Sequence, residues 1–125
     1  MSDKKQIIII EDEIQFAKMV KLRLESEGYE VHIATDAYAG TQEILKKDFD
    51  LIILDLMMPA GGGFSILERI SRFPGKSVIP AIILTGKNLD NQVKLQAESF
   101  NVVAIFHKPY DNQEFVGLIH SLLRE

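Results

Sequence analysis

The sequence predicts a doubly wound α/β domain: a five-stranded parallel sheet with helices on both faces. Three observations carry that prediction. Ile7 to Ile10, Leu51 to Leu54 and Ala81 to Leu84 are apolar at every position, as strands are when helices cover both faces of a parallel sheet. Between such runs lie segments whose apolar residues recur at three- and four-residue spacing, the period of a helix with one buried face. The whole alternation fits within 125 residues, the length of one compact domain spanning 1–125, with no room for a second folded unit.

The elements follow in order. After the isoleucine strand, Phe16, Val20 and Leu24 line up at i, i+4, and Gly28 supplies a left-handed stop. Tyr29, Val31 and Ile33 alternate with Glu30 and His32, the pattern of a half-exposed edge strand. The runs at 51–54 and 81–84 make the third and fourth strands. Leu89, Val93, Ala97 and Phe100 mark the fourth helix, and Val102 to Phe106 forms strand five. Asp111, three residues before Glu114 and just after Pro109, opens the last helix as in a capping box, with Phe115, Leu118 and Leu122 as its buried stripe. Right-handed crossovers then place the strands in the order 2-1-3-4-5.

Composition excludes several classes. The chain has no cysteine, which removes disulfides, thiolate zinc sites and a thiol nucleophile, and fits a reducing cytoplasm. Four isoleucines before Glu11-Asp12-Glu13 are too few for a signal core or a membrane span. A net charge of -4 with scattered basic residues argues against a nucleic-acid surface.

Ligands of such sheets bind at the carboxyl ends of the strands, beside the crevice where strand order reverses. The polar residues that follow the buried runs are Glu11 and Asp12, then Asp55, Thr85 and Lys108. All should meet on one rim. Three carboxylates in one place repel each other unless a cation neutralises them, and Mg2+ takes oxygen ligands from one or two carboxylates. Asp12 and Asp55 suit direct ligation, with Glu11 acting through water. A lysine and a hydroxyl on the same rim supply what a phosphoryl group needs.

The segments IIIIEDE, LIILDLMMP, AIILTGK and FHKPY, in this order and spacing, resemble the receiver domain of two-component response regulators. The resemblance covers essentially the whole chain and implies a flavodoxin-like fold. It implies that Asp55 is the phosphoacceptor, that Asp12, Asp55 and the Met57 backbone carbonyl bind Mg2+, and that Glu11 orients coordinated water. It also implies that Lys108 pairs with a phosphoryl oxygen, that Thr85 reports its arrival, and that the bond before Pro109 is cis. The implied partners are a sensor histidine kinase or histidine phosphotransfer protein and a downstream target. A homodimer would form through the face built by the fourth helix, fifth strand and fifth helix. The implied place is the cytoplasm, and the only chemistry is the chain's own phosphorylation and dephosphorylation.

The chain departs from the family pattern at Ile105, where many members carry an aromatic residue, and at Glu11, where many have aspartate. Ala60 to Gly63 is glycine-rich, and Lys87 lies two residues beyond Thr85. Met57 and Met58 read as core filler apart from the Met57 backbone, and His32, His107 and His120 are dispersed without metal-ligand spacing. Two other functions share parts of the pattern. A Mg2+-dependent phosphatase resembling the haloacid dehalogenases needs an acid two residues after its nucleophile, where this chain has Met57. A flavin-binding module needs a phosphate loop that Glu11-Asp12-Glu13 would repel.

Overall fold

The computed structural model describes residues 3–58, 62–86 and 90–124. The chain runs β1 (Gln6–Ile10), α1 (Ile14–Ser26), β2 (Glu30–Ala34), α2 (Ala37–Lys46), β3 (Leu51–Leu54) and α3 (Gly62–Ile70). It continues through α4 (Pro74–Ser77), β4 (Ala81–Thr85), α5 (Asn91–Glu98), β5 (Val102–His107) and α6 (Asn112–Leu123). The five strands form one sheet of order β2-β1-β3-β4-β5, all pairs parallel. This is the flavodoxin-like doubly wound fold that the apolar runs predict.

Register brings the carboxyl ends level. Ile10 pairs with Ala34 and Leu54, Leu54 with Ile83, and Thr85 with His107. Because side chains alternate along a strand, each central strand feeds two cores. Ile8, Ile10, Ile52, Leu54, Ala81 and Ile83 pack with α2, α3 and α5. Ile7, Ile9, Leu51, Ile53, Ile82 and Leu84 pack with α1 and α6. Every residue of β1 from Ile7 to Ile10, and of β3, is at most 1 % exposed. Each such aliphatic side chain contributes about 1.5 to 3 kcal/mol by leaving water.

Gly28 ends α1 with φ 99, as its place after Leu24 suggests. The side chains of Asp36, Asp90 and Asp111 cap the N-termini of α2, α5 and α6. Asp111 accepts from the Glu114 N–H at 3.0 Å. The structure also amends the expected elements. A one-turn helix, α4, lies between α3 and β4, begun by Pro74, whose fixed φ suits a first helical turn. The deepest residues of α6 are Phe115, Val116, Ile119 and Leu123, while Leu118 and Leu122 flank them. The helix is rolled so that Val116 and Ile119 face the sheet. Phe100 lies beyond the end of α5 and stacks against Phe64 with centroids 6.2 Å apart. Met58 is buried, but the Met57 side chain is 57 % exposed and fills no core. Leu89 and Lys87, and positions 59–61 of the glycine-rich loop, lie outside the described residues.

Candidate functional site

The carboxyl rim begins where β1 and β3 run out of isoleucine and leucine. The Glu11 N–H donates to the Ala34 carbonyl at 3.0 Å and the Asp55 N–H to the Ile10 carbonyl at 3.2 Å. These bonds extend the ladder by one residue and fix both acids at the sheet edge. Asp55 is 4 % exposed and Glu11 2 %. Such burial of carboxylates demands partners, and each has them. Asp55 Oδ1 accepts the Met57 N–H at 2.9 Å, and Oδ2 accepts Lys108 Nζ at 3.2 Å. Glu11 Oε1 accepts Lys108 Nζ at 2.8 Å, and Oε2 accepts the Glu13 N–H at 3.1 Å.

Lys108 reaches this point because its own N–H donates to the Thr85 carbonyl at 2.8 Å, tying the exit of β5 to the end of β4. The Lys108–Pro109 bond is cis. Thr85 is the last residue of β4 rather than the first after it, and it is wholly buried. Asp12 is exposed, yet one oxygen each of Glu11, Asp12 and Asp55 lie within 4.8 Å of one another. Asp12, Glu11, Asp55 and Lys108 thus meet on one rim as the spacing predicts, and Thr85 ends the neighbouring strand.

Electrostatics follow from that crowding. Burial pushes the Glu11 carboxyl above the usual range, and the Asp55 charge adds to this, outweighing the bonds from Lys108 and the Glu13 N–H. For Lys108, burial pulls the ammonium down, but bonds and charge from Glu11 and Asp55 outweigh it and the net direction is up. One lysine thus serves two buried acids, with Glu13 a further 3.6 Å neighbour. The three oxygens suit a hard divalent cation, which takes oxygen ligands and offsets their repulsion.

Sequence reasoning missed the contacts of three residues. Glu13 occupies the N-cap of α1 without making a cap bond and leans toward Lys108 instead. Phe16, expected in the buried stripe of α1, is only partly buried, and its ring centroid lies 4.1 Å from Lys108 Nζ. A helix opening directly after Glu13 puts Phe16 in its first turn beside the rim, so that signal was in the sequence. His120, dispersed by sequence, bonds Tyr29 and Glu27 far from the rim. A groove of about 910 Å3 also lies elsewhere, between α2 and α3 with Tyr38, Phe64 and Arg69 among its walls.

Fold and rim together define a doubly wound α/β protein with a lysine-bridged acidic site able to hold a cation. The response regulator receiver domain model matches residues 7–120, and the chain belongs to that family. Response regulator ArlR of Staphylococcus saprophyticus is 34% identical over 119 residues, which cover 95% of this chain and 52% of the relative. ArlR of Staphylococcus epidermidis is 36% identical over 94% of this chain and 52% of its own length. The chain spans about half the length of these curated relatives. Among solved structures, a CheY-like receiver domain protein from Methanospirillum hungatei superposes with TM-score 0.86 at 27% identity, covering 95% of this chain and 93% of that one. A putative response regulator from Chloroflexus aurantiacus gives 0.87 at 26% identity, covering 98% and 100%.

Proposed function

We propose that this receiver domain is a phosphoacceptor switch in which Asp55 takes a phosphoryl group from a sensor histidine kinase or histidine phosphotransfer protein. The observation that carries the reading is the sharing of one ammonium by two buried carboxylates, Glu11 at 2.8 Å and Asp55 at 3.2 Å, with Asp12 alongside. An Asp55 oxygen attacks phosphorus, the new O–P bond forms as the P–N bond breaks, and the bonding pair leaves on the imidazole nitrogen of the donor. A phosphohistidine protonated at its other ring nitrogen then departs as neutral imidazole. Such transfer is governed by alignment and by compensation of charge on the moving group. Asp12, Asp55 and the Met57 carbonyl would hold Mg2+ and Glu11 its water, and the ion when bound offsets charge on the phosphoryl oxygens. Lys108 pairs with one of those oxygens, and Thr85 offers its hydroxyl to another.

Phosphorylation adds roughly two negative charges at neutral pH. Thr85, drawn toward them, biases the surface of α5, β5 and α6 that meets a downstream target or a second copy. Leu95 and Val103 are already exposed on these elements. Ile105 packs on the core with α5, opposite in direction to Phe106, so the hydroxyl rather than a swinging aromatic side chain carries the signal. Residues 1–125 act as one receiver unit in the cytoplasm, and among the described residues no helix is long and apolar enough to cross a membrane. Its chemistry is confined to its own phosphorylation and dephosphorylation.

The experiment is incubation with Mg2+ and acetyl phosphate. Wild type should take up one phosphoryl group, chelation or Asp55→Asn should abolish uptake, and Thr85→Ala should accept phosphate yet lose the phosphorylation-dependent amide shifts on α5, β5 and α6. A stable adduct in Asp55→Asn would move the acceptor elsewhere, and a wild-type response from Thr85→Ala would remove the hydroxyl switch.

A further inference from the structure

We infer that Phe16 is a positioning residue for Lys108: the face of its ring holds the ammonium beside Asp55. The inference rests on the reading of Asp55 as phosphoacceptor and concerns a residue that reading does not use.

The shortest bond of Lys108 Nζ is to Glu11, at 2.8 Å, against 3.2 Å to Asp55 and 3.6 Å to Glu13. Carboxylates alone would therefore draw the ammonium toward Glu11, away from the oxygen where a phosphoryl group arrives. A lysine side chain has four rotatable carbons and much rotamer freedom to regain, and this one is 17% exposed, so water is within its reach. The Phe16 ring presents its centroid 4.1 Å from the same nitrogen. Attraction between a cation and the negative face of an aromatic ring needs no carboxylate.

The ring is itself held. Phe16 meets Tyr110 edge to face, with centroids 6.3 Å apart at 85°. Tyr110 packs against Phe115 at 5.0 Å and Phe106 at 6.0 Å, and Phe115 is wholly buried in the core between the sheet, α1 and α6. A continuous aromatic chain thus runs from the core to the ammonium. Hydrophobic burial alone does not explain its last member. Phe16 stands only partly buried at the rim, packed against the core at its edge while the Lys108 ammonium lies over its ring.

Three substitutions at position 16 separate ring face from bulk: Phe16→Leu, Phe16→Tyr, and replacement by a trifluorinated phenylalanine that keeps the shape but depletes the negative ring face. Uptake of phosphoryl from acetyl phosphate with Mg2+ is followed against donor concentration, and the order parameter of the Lys108 ε-methylene is measured by NMR without donor or metal. Leucine and the fluorinated ring should lower the saturating rate about three- to ten-fold, the range of a partly desolvated cation–π contact. Half-saturation should stay unchanged and the ε-methylene should become more mobile. Tyrosine should match wild type in both readouts. Should Phe16→Leu fail to fold, the fluorinated ring decides alone. Unchanged rate or unchanged mobility with the fluorinated ring overturns the inference, and so does a tyrosine variant as slow as leucine. If wild type takes up phosphoryl on Asp55 while the fluorinated ring is without effect, the inference alone fails. If wild type takes up none, or Asp55→Asn still does, the phosphoacceptor reading fails and the inference with it.

Discussion

The two ends of the same sheet satisfy their polar groups in opposite ways. At the carboxyl rim, two buried acids share one ammonium, and a third acid stands within 4.8 Å. At the amino end Glu27, Glu30 and Asp50 each meet a different donor group instead of sharing one. The Tyr29 hydroxyl meets His120 Nδ1 at 2.7 Å, His120 Nε2 meets Glu27 at 2.9 Å, and the two rings lie 5.5 Å apart. Gln6 bonds Glu30 and His32, and its N–H donates to Asp50 Oδ2 at 2.7 Å. The strands between are equally apolar, so the difference lies in the residues that end them. The amino end ties α6 to the turn before β2, whereas the carboxyl end keeps like charges together that a phosphoryl group and a cation can reorganise.

The largest test of that contrast is Lys108→Ala. Removing the shared cation leaves Glu11 and Asp55 buried and uncompensated, which should cost about 3 kcal/mol, the low end for a broken buried pair because the rim touches water. Denaturant unfolding at neutral pH should show the loss. It should shrink on acidification, because a carboxyl raised in the folded state binds its proton more readily there, so folding gains as pH falls through its pKa. A loss independent of pH would mean that lysine packing, not charge, dominates.

Next in size is divalent metal. Mg2+ at about a hundred times its dissociation constant should stabilise the fold by about 2.7 kcal/mol. On the proposed direct ligation by Asp12 and water-mediated role of Glu11, Asp12→Ala should abolish most of the effect and Glu11→Ala less. Equal titration curves for the two variants would contradict that division.

The smallest effect belongs to the amino end. Tyr29→Phe breaks the bond to His120 and should cost about 1 kcal/mol with no change in phosphorylation. Tyr29 also shapes the alkaline limb. Burial, with a smaller push from Glu27, raises its hydroxyl above the ordinary 10.0, burial raises Tyr110, and Glu11 and Asp55 hold Lys108 above the ordinary 10.5 despite its burial. Groups raised in the folded state stabilise it below their unfolded values, and that stability is lost as pH rises through the folded ones. Unfolding free energy should therefore fall above about pH 10, and less steeply in Tyr29→Phe. An identical slope would place the alkaline loss entirely at the rim and Tyr110.

How much of this the sequence displays depends on separation along the chain. Strand positions and order were legible because β1, β3 and β4 are uniformly apolar, a pattern that burial on both faces imposes. The rim was legible because Glu11, Asp12, Asp55, Thr85 and Lys108 each sit at the end of a strand, and parallel topology stacks such ends. The one-turn α4 was not, since four residues carry no periodicity. Nor was the roll of α6, because Leu118 and Leu122 are as apolar as Ile119 and Leu123 and only packing chooses between them. The His120 bonds to Tyr29 and Glu27 span more than ninety residues and exist only after α6 docks. The lean of Glu13 toward Lys108 required knowing where that ammonium ends.

The most direct measurement of the central claim is chemical capture of the acceptor. After incubation with acetyl phosphate and Mg2+, borohydride reduction converts an aspartyl phosphate to homoserine, and peptide mass spectrometry locates the converted residue. The account predicts conversion at Asp55 alone, absent when metal is chelated; conversion at Asp12 or Glu11, or none in a sample that retains phosphate, would contradict it.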